Sequence, residues 1–439
     1  MQERHFLSFL SPESAPSQQG AILDSSGQVV VSTMALDAPL TDGISTIRLH
    51  GTNYLIYREP SSVLNWTYYF FLPASETLAP LYRAQAMLAL FLLVVLAAAT
   101  WLHQPQSYSP VENRGMAWFL DWSNVTKAHF SEDFETHIQD QFPLRNQFRQ
   151  GKALVDLYAL GRRDVDGVYE TGGWMAELEY PRRTGMLDHV AQKIQWVYDH
   201  YLAGTDATCY LSVVPDKHYY LSQTNGYPAL DYDGLIQSLR AQVPAMPYID
   251  LTDLLSLDDY YRTDSHWRQE KILDVAARLA GGMGVELTGS YTRKTLEKPF
   301  YGVYYGQAAL PIAPEEMNYL TGGAIDTAAV YNYETDTEGG IYDAEKAAGR
   351  DPYEMFLSGS VSLLRIENPQ NTSGRRLVIF RDSFGSSIAP LLVEGYSSVT
   401  LVDIRYLASS RLGGFVDFTG CDVLFLYSAG VLNNSSTLK

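Results

Sequence analysis

The stretch that decides the fold reads Leu377-Val-Ile-Phe-Arg-Asp-Ser383-Phe-Gly-Ser-Ser387. Its first four residues are apolar and predict a buried strand, and Ser383 follows where a helix is predicted to begin. In open α/β sheets, ligands bind at the carboxyl ends of strands, and the free N–H groups of a helix start favour negative charge there. Ser383 is therefore a candidate nucleophile, although a serine at this position can also serve simply as a helix N-cap.

A nucleophilic serine needs a general base, and the base needs a group that orients it. The segment Tyr260-Tyr-Arg-Thr-Asp264-Ser-His266-Trp267 offers both and precedes a predicted helix. Asp264 and His266 are two residues apart, so in an extended segment their side chains point to the same face. This spacing suits His266 as the base and Asp264 as its orienting carboxylate. The alternative is a loop with a helix-capping aspartate and a half-buried histidine.

Around these two segments the chain alternates between apolar strands and amphipathic helices. Strands are predicted at 207–214, 246–250, 377–380, 398–402 and 422–427, and helices at 232–242, 268–283 and 384–394. The C-terminal strands are nearly continuous apolar runs, as is typical of parallel strands covered on both faces. The pattern predicts an α/β domain with a doubly wound parallel sheet over 129–439. Residues 285–375 are richer in Gly, Tyr and Asp and are predicted to form a long insertion with little helix.

Residues 84–102 are predicted to form a transmembrane helix. The segment contains no charged residue, glycine or proline, and 19 residues at about 1.5 Å each span about 28 Å, close to the hydrocarbon thickness of a bilayer. A buried core helix is the alternative, but such a helix would carry a polar stripe. The segment does not match a signal peptide, since 83 residues precede it. Residues 103–128 are predicted to be a linker.

The N-terminal region, 1–83, is predicted to be rich in β-structure after a polar start over residues 1–19. Five short strands are predicted from 21 to about 72. This region faintly resembles the membrane-proximal end of a Cache-like extracellular sensor domain, which would place it outside the cell. Arg83, just before the apolar segment, instead favours a cytoplasmic N-terminus. The orientation of this region therefore stays open, and a sensor role lacks a recognisable output domain after the span.

The composition narrows the class of function. Hydrophobic residues make up 46% and charged residues 19% of the chain, a balance that allows a sizeable core. The formal net charge of −18, without a cluster of Lys and Arg, argues against nucleic-acid binding. Cys209 and Cys421 each begin a predicted strand and are interpreted as buried thiols, with their pairing left open. No Cys/His spacing indicates a metal site.

The two segments above, together with several short motifs in order along the chain, resemble a known protein family. The chain resembles the DHHW family, which is named after an Asp-His-His-Trp motif that reads Asp264-Ser-His266-Trp267 here. The second position of the motif is a serine here instead of a histidine, but the Asp and the second His of the motif are present. Further matches include Glu112-Asn-Arg114, Val214-Pro-Asp-Lys217-His218 and Arg381-Asp-Ser383-Phe-Gly. The resemblance covers about residues 90–435 and leaves out 1–83.

The DHHW family is related to alginate O-acetyltransferase domains of the SGNH hydrolase superfamily, and the resemblance implies a function. Ser383 would attack an acyl carbonyl, His266 would act as general base, and Asp264 would hold His266. The expected activity is O-acyl transfer to, or ester hydrolysis on, an exported or cell-surface polysaccharide, by a domain outside the cytoplasm. A membrane-bound O-acyltransferase is the expected acyl donor, and no cofactor or metal is expected. The rival is a non-catalytic polysaccharide-binding or assembly module.

Five further residues are candidates for contacts with the substrate or the oxyanion. Arg381 could bind an anionic sugar or pair with an acidic neighbour, and Gly359 could supply a backbone N–H or simply form a turn. Asn433 could donate to the oxyanion or belong to a solvated tail. Lys217 and His218 follow a predicted strand, so they could line the cleft or lie at the surface.

Overall fold

The computed structural model describes Leu10 and residues 17–37, 39–40, 45–102, 104–109, 111–112 and 114–439. The chain divides into two compact units, residues 1–104 and residues 105–439. Most of the polar stretch 1–19 lies outside the described residues.

The first unit contains an antiparallel sheet followed by one long helix. The strands are β1 Gln19–Asp24, β2 Val29–Ser32, β3 Thr46–Leu49, β4 Thr52–Pro60 and β5 Trp66–Pro73. They pair in the order β2-β1-β5-β4-β3, and Ala21, Leu23, Tyr69 and Phe71 are buried on one face. The predicted N-terminal β-region is therefore confirmed.

Helix α1, Ala74–Leu102, follows this sheet directly. Its segment Ala74–Thr100 is long and apolar enough to cross a membrane, and none of its most apolar stretch is buried in the protein. A core helix, the alternative interpretation, would have its apolar stretch buried inside the protein. The helix begins ten residues earlier than predicted, because Ala74–Arg83 contains polar residues that carry no signal for a membrane span but are compatible with a helix.

The second unit alternates strands and helices along most of its length. Its strands are β6 Tyr108–Ser109, β7 Arg114–Gly115, β8 Val168–Thr171, β9 Trp174–Glu177, β10 Thr208–Val214, β11 Thr292–Thr295, β12 Asn318–Thr321, β13 Ala329–Asn332, β14 Thr337–Gly339, β15 Leu363–Glu367, β16 Arg376–Arg381, β17 Ser398–Val402 and β18 Cys421–Ser428. Its α-helices are α2 Phe130–Gln141, α3 Arg145–Leu154, α4 Thr184–Val197, α5 Lys217–Asn225, α6 Tyr232–Gln242, α7 Leu273–Gly282, α8 Val303–Ala308, α9 Ala324–Thr327, α10 Ala344–Ala348, α11 Phe384–Leu392 and α12 Ala429–Asn433. Short 3-10 helices lie at Trp122–Asn124, Leu257–Asp259, Gln269–Lys271, Pro352–Met355, Val393–Gly395, Ser409–Gly414 and Ser435–Thr437, and π-helical turns at Val155–Ala159 and Tyr198–Leu202.

The central sheet has seven strands in the order β10-β18-β16-β17-β15-β13-β14. The first four are parallel to one another, whereas β15, β13 and β14 join antiparallel. The predicted α/β class is confirmed, but the sheet is mixed rather than wholly parallel. The three antiparallel strands come from 285–375, and β13 and β14 are joined by a hairpin, which needs far fewer residues than a parallel crossover.

The predicted strand at 246–250 forms only a single bridge, between Tyr248 and Leu211 of β10. Pro247 has no N–H to donate to a ladder, which limits pairing along this segment. The predicted helix at 268–283 is shorter in the structure, since its first turn is the 3-10 helix Gln269–Lys271.

Side chains of the central strands alternate between two cores, one on each face of the sheet. In β16, Leu377 and Ile379 pack with helices α7 and α11, while Val378 and Phe380 pack with helices α4 and α6. This alternation follows from the period of two in a strand. Cys209 and Cys421 belong to the second core and are free thiols.

Arg381, the last residue of β16, is fully buried. Its guanidinium donates to the carbonyl of Val361 at 3.1 Å and lies 3.9 Å from the carboxylate of Asp403, which also pairs with Arg405 at 2.7 Å. Burial lowers the pKa of Arg381, opposed chiefly by the charge of Asp403. The structure therefore places Arg381 in an internal ion pair, which was one of its two sequence interpretations.

We predict that Asp403→Ala lowers the free energy of unfolding by about 3–5 kcal/mol, because it leaves the Arg381 charge buried without its carboxylate. Urea unfolding of the variant and the wild type measures the difference. The matched control is Glu367→Ala, which removes the carboxylate of the exposed pair with Arg365 and should cost less than about 1 kcal/mol. Equal effects of the two substitutions would contradict the assignment of Asp403.

Candidate active site

Ser383 lies in the turn between β16 and α11. Its neighbour Asp382 is fully buried, and the Asp382 carboxylate accepts the N–H of Phe384 at 3.0 Å and the N–H of Ser428 at 2.7 Å. The turn is thereby fixed to the end of β18. A Cβ atom added at Gly385 would lie 2.5 Å from the Cβ of Arg381. The first turn of α11 therefore lies so close to the end of β16 that only a glycine fits at this position.

The segment that carries Asp264 and His266 is held at both sides. An isolated bridge pairs Tyr260 with Trp267, and the N–H of Tyr261 donates to the carbonyl of His266 at 3.0 Å. Within this loop, the carboxylate of Glu315 accepts the N–H and the hydroxyl of Thr263, each at 2.9 Å. These contacts give a loop without regular secondary structure a defined conformation.

The structure brings the three predicted residues into one line of hydrogen bonds. The His266 Nε2 atom lies 2.7 Å from the Ser383 Oγ atom, and His266 Nδ1 lies 2.6 Å from Asp264 Oδ1. The Asp264 carboxylate also accepts the N–H of His266 at 3.0 Å and the N–H of Val303 at 2.9 Å. Ser383 and His266 are 117 residues apart in the chain, so the tertiary fold creates this arrangement.

Two opposing effects set the pKa of Asp264. Burial would raise it, but the charge of His266 and the hydrogen bonds from His266 and from the Val303 N–H outweigh burial and lower the pKa to about 2. Asp264 therefore remains an acceptor-only carboxylate at neutral pH. Because a carboxylate cannot donate, His266 Nδ1 carries the proton, and Nε2 is free to accept the hydrogen of the Ser383 hydroxyl.

Aromatic side chains enclose the imidazole. The ring of Tyr353 stacks on His266 with centroids 3.9 Å apart and an interplanar angle of 12°, and the ring of Phe384 lies at 5.1 Å. The Tyr353 hydroxyl and the indole N–H of Trp267 both lie 2.8 Å from Ser387 Oγ. Sequence reasoning missed Tyr353, because it is one of 31 tyrosines and lies in the segment interpreted as an insertion.

Ser383 opens into a cavity of about 310 Å³. Ser265, which occupies the departing second position of the DHHW motif, lines the cavity together with Tyr304, Lys217 and His218. A larger cavity of about 870 Å³ does not include Ser383. The smaller cavity is thus the one of these two that Ser383 lines.

Lys217 and His218 are both buried and both line this cavity. The Lys217 Nζ atom donates to the carbonyls of Tyr261 at 2.8 Å and Arg262 at 3.0 Å. Burial lowers the pKa of Lys217 to about 7, although the charge of Asp264 opposes this shift. His218 lies between the Tyr169 hydroxyl at 2.7 Å and the Pro228 carbonyl at 2.8 Å, and burial lowers its pKa.

The structure gives Gly359 and Asn433 other contacts and does not bring them to the cavity. The N–H of Gly359 donates to the carbonyl of Phe356 at 3.2 Å, and Gly359 has a φ of +76°, which suits a turn glycine. Asn433 accepts the N–H of Arg183 at 2.8 Å and donates to the Pro181 carbonyl at 3.1 Å. Its near-terminal position suggested a solvated tail, but the chain end packs into the second core.

Comparisons with known proteins address the fold. No family model matches the chain, and no match was found among curated proteins. Among solved structures, the chain is similar to a DHHW family protein from Eubacterium siraeum, with a TM-score of 0.50 and 22% identity over 63% of this chain and 95% of that chain. Two structures of Bacillus cereus PatB1, one with a sulfonyl adduct, give TM-scores of 0.46 and 0.48 at 17% and 16% identity, over 60% of this chain and 97% and 96% of theirs. The resemblance to the DHHW family is confirmed as a shared fold.

Gly302 provides a test of the Asp264 position. A Cβ atom added there would lie 2.3–2.5 Å from the Cβ, Cα and N atoms of Asp264, closer than atoms can approach. We predict that Gly302→Ala displaces Asp264 and lowers the rate at which a serine-directed fluorophosphonate labels Ser383 by at least about tenfold. Intact mass spectrometry measures labelling. The control is Gly340→Ala, where nothing lies within 4 Å of the added Cβ; equal labelling of the two variants would contradict the prediction.

Lys217 should make stability depend on pH. Its pKa is about 7 in the folded protein and about 10.4 in an unfolded chain, so the unfolded state binds more protons between these values. The free energy of unfolding of the wild type should therefore rise with pH over this range, relative to Lys217→Met, by up to about 1.4 kcal/mol per pH unit. Urea unfolding at several pH values measures the difference. The matched control is Lys271→Met, which removes an exposed lysine; equal slopes in the two comparisons would contradict the prediction.

Proposed function

We propose that the second unit is an SGNH-like serine acyltransferase or esterase that forms an acyl-serine intermediate at Ser383. The observation that carries this proposal is the continuous hydrogen-bonded line from Asp264 through His266 to Ser383, at the carboxyl end of a central strand and at the start of a helix. A structural serine N-cap would need no histidine at 2.7 Å, and a structural histidine would need no carboxylate with a depressed pKa.

The geometry supports a two-step reaction. As Ser383 Oγ attacks the acyl carbonyl, His266 Nε2 takes the hydroxyl proton, and Asp264 stabilises the imidazolium that forms. The backbone N–H of Ser383, at the positive end of α11, is a candidate donor to the oxyanion. The tetrahedral intermediate collapses when His266 returns the proton to the leaving group, which leaves acyl-Ser383. A hydroxyl group or water then attacks this ester by the same steps in reverse.

The substrate and the setting of the reaction are proposed from the sequence resemblance. The acyl group is acetyl, and the acceptor is a hydroxyl of an exported or cell-surface polysaccharide. Helix α1 anchors the chain to the membrane with the second unit outside the cytoplasm, where a membrane-bound O-acyltransferase supplies the acyl group. Transfer and hydrolysis differ only in whether a sugar or a water molecule attacks acyl-Ser383.

We predict that the wild-type protein releases nitrophenol from p-nitrophenyl acetate and gains one acetyl mass, and that Ser383→Ala lowers kcat/KM by at least about 1,000-fold. The matched control is Ser386→Ala. Ser386 lies three residues after Ser383 and is buried in the first turn of α11, and its hydroxyl has no hydrogen-bond partner among the described residues. Its removal should leave the acetyl-enzyme intact. A folded wild type that shows neither nitrophenol release nor an acetyl mass would favour the non-catalytic polysaccharide-binding module.

A further inference from the structure

One wall of the cavity that contains Ser383 is acidic. Glu177, Glu179 and Asp216 all line this cavity, and they come from two segments of the unit. Glu177 is the last residue of β9, Glu179 follows it in the loop, and Asp216 is the N-cap of α5. We refer to these three carboxylates as the acidic wall.

Among the described residues, the acidic wall has hydrogen bonds but no salt bridge within 4 Å, and the charge of Arg183 acts on Glu177 and Glu179 only from a longer distance. Asp216 Oδ1 accepts the N–H of His218 at 2.8 Å and the hydroxyl of Tyr232 at 2.7 Å, while its buried Oδ2 atom has no partner. Glu179 accepts one long hydrogen bond, 3.4 Å, from the amide of Asn433. The neighbouring cation, Lys217, donates instead to two backbone carbonyls.

The three carboxylates also act on one another. Burial, with a smaller contribution from the charge of Glu177, raises the pKa of Asp216 to about 6, against the hydrogen bonds that this carboxylate accepts. Loss of hydration is the main effect that raises the pKa values of the exposed Glu177 and the half-buried Glu179. A neighbouring carboxylate of the wall raises each of them as well, whereas the charge of Arg183 lowers both. Burial and mutual repulsion therefore both disfavour this charge in the protein without a ligand, and a cation in the cavity would relieve both effects.

We propose that the acyl acceptor carries a protonated amine that binds the acidic wall while a neighbouring hydroxyl reaches acyl-Ser383. This inference rests on the proposed function and names its acceptor class, an amino sugar unit of a glycan with a free ammonium group. A uronate would bring a fourth carboxylate to the wall and be repelled. A neutral sugar could donate hydroxyl hydrogens but would leave the repulsion among the three carboxylates in place.

The reaction balances without further reactants. The acceptor hydroxyl attacks the carbonyl carbon of acyl-Ser383, and His266 Nε2 takes the hydroxyl proton. The bond between the acyl carbon and Ser383 Oγ then breaks, and His266 returns the proton to Oγ. The products are an O-acylated amino sugar and free Ser383, and the ammonium group takes no part in bond making.

The first experiment uses the full chain in detergent with p-nitrophenyl acetate as donor. Glucosamine oligomers are compared with N-acetylglucosamine oligomers and uronate oligomers of the same length, at a pH where the amine is protonated. We expect kcat/KM for transfer to the amino oligomer to exceed both others by at least tenfold. Equal or better transfer to the N-acetylated oligomer would overturn the inference, even though acetyl-Ser383 forms and the proposed function stands.

Two substitutions test whether the acidic wall causes the preference. Glu177→Gln and Glu179→Gln together should reduce the ratio of amino to N-acetylated acceptor at least fivefold, and this ratio is taken within each variant so that changes in overall rate cancel. Glu286→Gln, an exposed carboxylate outside the cavity, should leave the ratio unchanged. A ratio unaffected by the paired substitutions would overturn the inference.

A binding measurement separates this inference from the proposed function. Calorimetry on Ser383→Ala requires no turnover, and it should show tighter binding of the amino oligomer than of its N-acetylated counterpart. That result would uphold the recognition of the ammonium group by the acidic wall even if the proposed function failed and no acetyl-enzyme formed. A second donor, the p-nitrophenyl ester of glycine, tests whether the ammonium belongs to the acyl group instead. If the protein prefers this donor to p-nitrophenyl acetate and shows no preference among the acceptors, the inference is overturned.

Discussion

The buried carboxylate of Asp264 is the constraint on which the rest of the site depends. A carboxylate removed from water must have its oxygens satisfied by hydrogen bonds, or it becomes costly to keep ionised. Three donors do this here, two from His266 and one from the N–H of Val303. The same bonds hold the imidazole in one orientation and one tautomer. The close approach of Gly302 follows from this arrangement, since any side chain at that position would occupy the space of Asp264.

The site is assembled from segments that are far apart in the chain, and each is tied to the central sheet. Asp382 joins the turn before α11 to the end of β18. Lys217, at the start of α5, donates to the backbone that precedes Asp264. The Ser387 hydroxyl accepts the indole N–H of Trp267 and shares a hydrogen bond with the Tyr353 hydroxyl. Strand, helix and loop thus share buried polar contacts, so the position of the serine relative to the histidine is set by the core of the unit.

The sequence predicted those residues of the site that can be recognised from their immediate neighbours in the chain. A serine after an apolar strand and an Asp-x-His pair before a helix are short-range patterns, and both point to residues that the fold brings together. Tyr353, Gly302 and the acidic wall carry no local signal, because a tyrosine, a glycine or a glutamate acquires its role only from what the fold places beside it. The three antiparallel strands of the central sheet were not predicted, for a related reason. Its strands are three to five residues long and lie in a segment whose composition resembles a loop.

The stacking of Tyr353 on His266 has a consequence for motion within the site. With one face of the imidazole covered by a phenol ring and Phe384 close to it, a ring flip that exchanged the two nitrogens would require several buried aromatic groups to separate. The rotational freedom of the histidine is therefore lost when the protein folds rather than when a substrate arrives. A proton can pass between Ser383 Oγ and Nε2 by a displacement of the hydrogen alone, while every heavy atom of the ring stays where the native packing has put it.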